Sequence, residues 1–255
     1  MELTTIILSV LAGFLAGIIN TIAGSGSIIT LSLLTFLGLP ANVANATNRV
    51  GLLFQSATGS VRFKQAGLLD VSSNWTLILT TTLGAILGAV LATKLDSKLF
   101  EKSVGVIFIG LLLVLIFKPE KRIGDSTILK KSMPIWMFLI GVYAGFIQAG
   151  AGIFMLAIMS VVWKKNITAL NPIKVFIIFT INLVALAWYA YDGNVNWGIG
   201  LLLALGQFIG AFIGVKLNNT NKNIEPKLRV LLLGLVALSI CKFLGIIELW
   251  KNYFL

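Results

Sequence analysis

The chain contains no histidine. Ser-His-Asp catalysis, histidine metal ligation and histidine proton relays are excluded together. It has one cysteine, Cys241, in an apolar run, so no disulfide can form within the chain. Acidic residues number 9 against 20 basic ones, and charged residues make up only 11%. All nine acids (Glu2, Asp70, Asp96, Glu101, Glu120, Asp125, Asp192, Glu225 and Glu248) fall in loops or near the ends of apolar segments. With no carboxylate at a segment centre, a proton relay of buried acids has nothing to run on. No nucleophile–base pair or metal constellation is visible, so the chain does not read as an enzyme, and nothing calls for a cofactor or a metal.

What is present is apolar: 58% hydrophobic residues and a mean hydropathy of +0.98 over 255 residues. Short polar loops separate the apolar runs, the pattern of an all-α polytopic membrane protein in a lipid bilayer. The net charge of +11 does not indicate a nucleic-acid partner, because the basic residues sit in loops between segments and form no basic face. The N-terminal MELTTIIL lacks a basic region and reads as the first membrane segment, not a cleaved signal.

The sequence divides into two halves of five apolar segments. The first half reads Thr4–Ile19, Ile28–Leu39, Val43–Val61, Trp75–Thr93 and Leu99–Phe117; the second reads Pro134–Ile147, Ile153–Trp163, Ile167–Ala190, Trp197–Val215 and Lys227–Leu244. This gives one membrane repeat at 1–117, a polar linker at 118–132 and a second repeat at 133–255. The stretch GFLAGIINTIAGSGS at Gly13–Ser27 returns as GVYAGFIQAGAG at Gly141–Gly152. Gly13, Gly17, Asn20, Gly24 and Gly26 match Gly141, Gly145, Gln148, Gly150 and Gly152. Further on, Asn45 matches Asn171, and Gly84 and Gly88 match Gly206 and Gly210. The G-x-x-x-G pairs let helix backbones approach closely.

Each copy places one amide side chain just before a glycine break. Paired breaks in corresponding positions of two halves point to a transporter's binding site. The first two segments of each half are short for a span of roughly 20 residues. They form either tilted short helices or re-entrant hairpins meeting at mid-membrane. In both cases a hairpin returns to its own side. Thirteen basic residues then collect on one face and five on the other, which puts the linker in the cytoplasm and both termini outside. Each half makes an odd number of crossings, so the repeats are inverted.

Arg49 and Lys174 lie about 10 Å inside their segments at 1.5 Å per residue. They occupy neighbouring repeat positions, since Asn48 aligns with Lys174. Two cations from opposite sides with no adjacent acid suggest an anion between them. The competing reading is a structural one, in which each snorkels to an interface or binds backbone carbonyls. Gly-rich breaks and half-helix N-termini attract negative charge, so Gly24, Gly26, Gly150 and Gly152 join the candidate site. Asn20, Thr21, Ser25, Ser27, Thr47, Asn48 and Gln148 supply neutral donors. Against this, Asn20 and Gln148 could simply satisfy freed backbone groups. Gln55, Ser56 and Asn182, deeper in the segments, read as interhelical hydrogen-bonding residues.

These motifs resemble the sulfite exporter TauE/SafE family of bacterial membrane permeases. The resemblance rests on Gly13–Ser27, Leu37-Gly38-Leu39-Pro40, Ala44–Thr47 and the second copy GVYAGFIQAGAGIF, and it covers essentially the whole chain. It implies transport of sulfite, thiosulfate or a small organosulfur anion across the inner membrane. The residues themselves predict an anion-binding, inverted-repeat transporter; together with the resemblance, the reading is export of a small sulfur oxyanion by alternating access. Uptake of an organosulfonate and an anion channel are the alternatives. The oligomeric state is left open, a homodimer included.

Overall fold

The computed structural model describes residues 2–117 and 130–220. Among these residues the secondary structure is helical. In the first half lie α1 (Leu3–Ile22), α2 (Ser27–Phe36), α3 (Ala41–Gln65), α4 (Trp75–Thr93) and α5 (Ser97–Phe117). In the second lie α6 (Met133–Phe146), α7 (Ala151–Trp163), α8 (Ile167–Tyr191) and α9 (Trp197–Thr220). The expected last segment, Lys227–Leu244, and most of the linker lie outside the described residues.

Among the described residues, four helical stretches are long and apolar enough to cross a membrane: Leu3–Ile22, Ser72–Thr93, Ile167–Tyr191 and Trp197–Asn218. α1 is longer than its apolar run implied. It continues through Asn20 and Thr21 to Ile22, 20 residues in all, so it has the length of a full span. The other hairpin helices are short as expected: α2 has 10 residues, α6 has 14 and α7 has 13. Large apolar side chains face outward at helical spacing, as at Leu3, Ile7, Leu11 and Leu15 on α1 and Leu201, Leu205, Phe208 and Phe212 on α9. Such stripes suit lipid and would be an aggregation liability in water.

The breaks between the hairpin helices have a local cause. Gly24 (φ 78°) and Gly150 (φ 74°) both sit in the left-handed region. There a side chain would be strained, so glycine ends one helix and admits the next. The two breaks thus share one backbone conformation at matching places in the repeat.

Helix packing follows the repeat in a crossed fashion. α1, the first helix of one half, packs along α9, the fourth helix of the other. α6 likewise packs along α4. Glycines make both contacts close. A Cβ on Gly13 would fall 2.6 Å from the Leu203 carbonyl oxygen, and one on Gly17 would fall 2.9 Å from Gln207 Cα. On the other side, Gly141 and Gly145 meet the Thr81 and Ala85 carbonyls, while Gly84 and Gly88 meet those of Phe138 and Val142. α3 and α8, the third helix of each half, pack on each other between these pairs.

α8 carries Pro172 inside it, and the missing N–H leaves the Thr168 carbonyl without its usual donor. Asn218 Nδ2 supplies one from α9 at 3.4 Å. Asn166 caps the start of α8 by accepting from Ala169 N–H at 2.9 Å.

Replacing Gly17 or Gly145 by valine should disrupt one crossed pair, since the neighbouring backbone has no room to retreat. The expected cost is about 3 kcal/mol or more, beyond the usual overpacking penalty because the clash is with backbone. Thermal unfolding in detergent should show both variants strongly destabilised, while Gly38→Ala, where nothing lies within 4 Å, costs only its left-handed strain.

Candidate anion site

A helix that ends inside the protein leaves its last carbonyls without donors and carries partial negative charge there. α1 and α6 both end this way, and at each end a cation and an asparagine of the opposite half close it. At the end of α1, Lys174 Nζ of α8 donates to the carbonyls of Asn20 (2.9 Å) and Thr21 (3.1 Å). Asn171 Nδ2, also from α8, donates to the carbonyl of Ile22 at 2.9 Å. At the end of α6, Arg49 Nη2 of α3 donates to the carbonyls of Ala144 (2.9 Å) and Gly145 (2.6 Å). Asn45 Nδ2 donates to the carbonyl of Phe146 at 3.0 Å. The Tyr189 hydroxyl also reaches the Gly145 and Phe146 carbonyls at 3.1 Å each.

The two ends are therefore built alike: a cation on the penultimate carbonyls and an asparagine on the last one. Both cations are fully buried. Their partners are carbonyls, with Tyr189 alone adding a ring face 4.9 Å from Arg49 Cζ. The hydrogen-bond partners of both cations are neutral carbonyls, whose helix dipoles carry negative charge at these ends.

The hairpin tips touch. A Cβ on Gly24 would lie 2.7 Å from Gly152 Cα, and one on Gly152 would lie 2.6 Å from Gly24 Cα. Around the first tip, Asn20 Oδ1 accepts from Ser27 N–H at 3.1 Å, folding the Gly-Ser loop onto the amide that precedes it. Thr30 Oγ1 donates to Asn48 Oδ1 at 2.6 Å, which ties α2 to α3. Thr21 Oγ1 donates to the Gly17 carbonyl at 2.8 Å and accepts from Gln55 Nε2 at 3.1 Å. Around the second tip, Ile147 is extended, Gln148 is buried, and the Tyr143 hydroxyl donates to the Ala149 carbonyl.

Several buried polar atoms here have no hydrogen-bond partner among the described residues: Asn20 Nδ2, Ser25 Oγ, Gln148 Oε1 and two of the three Arg49 nitrogens, Nε and Nη1. Such atoms are costly to leave unmet, and a ligand's polar groups would meet them.

Asn20, Thr21, Gly24, Ser25, Gly26, Ser27, Asn48 and Lys174 thus gather at the first tip, and Arg49, Gln148, Gly150 and Gly152 at the second. Thr47 points elsewhere: its hydroxyl accepts from Asn196 N–H at 3.0 Å, at the start of α9. Each cation sits at its own helix end. Lys174 and Tyr189, which Arg49 covers, are fifteen residues apart on α8, about 22 Å along the helix. Gln55 does bond across helices, whereas Ser56 and Asn182 bond back to Leu52 and Ile178 of their own helices. Asn45, Asn171 and Tyr189 lie outside the set of residues that the sequence marks as candidates. The match of Asn45 to Asn171 in the repeat was the available signal for two of them.

The long apolar helices are those of an all-α polytopic membrane protein. The profile of the family described as "Sulfite exporter TauE/SafE" matches residues 9–243, and the chain belongs to that family. It is similar to a "Probable membrane transporter protein ORF9" of Sinorhizobium sp, 28% identical over 95% of both chains. It is also similar to a "Probable membrane transporter protein" of Haemophilus influenzae, 27% identical over 80% of this chain and 82% of the relative. Against the "Probable membrane transporter protein YdhB" of Bacillus subtilis the identity is 22%, over 90% and 97% of the two chains. No solved structure matches the chain.

Proposed function

We propose that the protein exports a small sulfur oxyanion across the inner membrane by alternating access, with the paired hairpin tips as its binding site. The observation that carries this reading is the set of buried, unpartnered donors beside two buried cations where the hairpins meet. An anion leaving water for this interior needs replacement donors and countercharge, and those groups are of the right kind. The family's description as a sulfite exporter favours a sulfur oxyanion as the substrate. Export of an anion from a negative-inside cell is favourable by about 2.3 kcal/mol per charge per 100 mV, so no coupling ion is required.

Because the cations sit at different helix ends, this reading has two stations, one beside Lys174 and Asn20, the other beside Arg49 and Gln148. Each cation also holds the opposite hairpin, so an anion that draws on it loosens one helix end. That is a physical route from binding to rearrangement, because only differential contact with two states can shift their balance. The crossed packing of α1 on α9 and α6 on α4 supports two repeats, at 1–117 and 133–255, in inverted orientation about a cytoplasmic linker at 118–132. Both termini then lie outside the cytoplasm.

Lys174→Gln and Arg49→Gln should each weaken binding of sulfite or thiosulfate to purified protein. Losing a charged partner costs about 2–5 kcal/mol, roughly 30-fold to several-thousand-fold in affinity. Calorimetry on folded variants decides it: unchanged affinities together with lowered unfolding temperatures would leave the cations as helix caps only. Arg49→Lys should be milder, since an ammonium lacks the guanidinium's fixed fork. For orientation, single cysteines in 118–131, in a Cys241→Ser background, should resist membrane-impermeant labelling in intact cells and react after lysis. Labelling in intact cells would contradict the assignment.

A further inference from the structure

Gln207 lies on α9, inside an apolar helix, and is fully buried. Neither Oε1 nor Nε2 has a hydrogen-bond partner among the described residues. Its backbone packs against Gly17 of α1, and its amide lies over Gly51 of α3, where a Cβ would fall 2.9 Å from Gln207 Cδ. Gly51 is what admits the amide to this place.

The neighbours follow from helical register. On α3, Gly51 lies one turn from Asn48 on one side and one turn from Gln55 on the other. On α1, Gly17 lies one turn before Asn20 and Thr21, whose carbonyls hold Lys174 Nζ. Gln207 thus sits level with a polar face made of Asn48, Gln55, Asn20 and Thr21. Two more unpartnered atoms belong to it, Asn20 Nδ2 and Gln55 Oε1.

Their identities are fixed by the bonds their other ends make. Asn20 Oδ1 accepts from a backbone N–H, so the free end is the donor. The Thr21 hydroxyl gives its proton to the Gly17 carbonyl, so Gln55 must approach it with its NH₂ and leave its oxygen free. The place therefore presents one fixed donor, one fixed acceptor, an amide able to serve as either, and an ammonium. A bare oxyanion offers only acceptors and would leave the Gln55 oxygen unmet. A monoanion that also carries an O–H or N–H satisfies both.

We infer that Gln207, with Asn20 and Gln55, lines a subsite beside Lys174 that takes the hydrogen-bearing end of the transported anion. Gln55 supplies the fixed acceptor and the Gln207 amide holds the hydrogen-bearing end against it, so Gln207 is a specificity residue that acts together with Gln55, and the proposal rests on the anion-transport reading above. It selects a monoanion with a hydrogen-bond donor over an equally charged anion without one.

The test compares isethionate with ethanesulfonate, sulfonates of equal charge that differ by a hydroxyl group. Binding is measured by calorimetry on the purified full chain. Isethionate should bind roughly tenfold tighter, the worth of one buried hydrogen bond. In Gln207→Met this preference should fall severalfold while ethanesulfonate affinity holds. Gly51→Ala, whose Cβ pushes the amide aside, should do the same. Exchanging an unpartnered buried amide for an apolar side chain of similar size should leave the unfolding temperature unchanged or raised. Equal affinities in the unaltered protein, or a preference that survives both substitutions, would overturn the inference and leave the anion site standing. A lowered unfolding temperature in Gln207→Met would assign the amide to packing instead. Failure of both sulfonates and of sulfite to bind would remove the anion site and this subsite together.

Discussion

Two buried cations hold the carboxyl ends of two helices that belong to the other half of the chain. Lys174 closes α1 and Arg49 closes α6, each on a pair of neighbouring carbonyls. A helix ending in a low-dielectric interior needs donors from elsewhere, and a charged donor answers both the unmet carbonyls and the dipole. The glycine breaks end the helices, and the clamps answer the carbonyls those breaks leave unmet. With the clamps in place, the tips are held in contact at Gly24 and Gly152, and the site inherits its shape from that contact.

The clamps work only because the helices can come close enough to be reached across the halves. Glycines at equivalent places on α1, α4, α6 and α9 bring each first helix against the opposite fourth helix. In lipid there is no hydrophobic drive to press helices together, so van der Waals contact between backbones has to do it. The same economy of side chain recurs at Gly51, where the missing Cβ leaves room for the Gln207 amide. Close packing and polar access are thus both made by glycine, at different faces of neighbouring helices. The result is a dense bundle with a polar seam along α3 and the ends of α1 and α6.

Much of this was legible in the sequence because it is local or repeated. Glycine breaks, short hairpin helices, the two cations and the amide before each break are all visible as patterns. The true end of α1 was not. Asn20 and Thr21 look like the end of an apolar run, yet the helix continues to Ile22 because Lys174 and Asn171, some 150 residues away, take its last carbonyls. Tyr189 is invisible for a similar reason: nothing near it marks an aromatic hydroxyl as the partner of Gly145 and Phe146. Gln207 was hidden by its setting in an apolar helix, and its significance appears only opposite Gly51. Thr47 shows the reverse case, a polar residue beside Arg49 whose hydroxyl serves the start of α9. Periodicity and repeats give which residues share a face; they do not give which helix end a side chain will find.

The central claim is that the anion binds where the hairpin tips meet, against a cation that also holds a helix end. Selenite resembles sulfite and carries a heavy scatterer that diffraction can locate by its anomalous signal. In crystals of the full chain grown with selenite, the account predicts a selenium peak whose oxygens lie within hydrogen-bonding reach of Lys174 Nζ and Asn20 Nδ2, or of Arg49 and Gln148. That signal should vanish when the cation at the occupied station is changed to glutamine. Ordered selenium remote from both hairpin tips, unaffected by either substitution, would contradict the account.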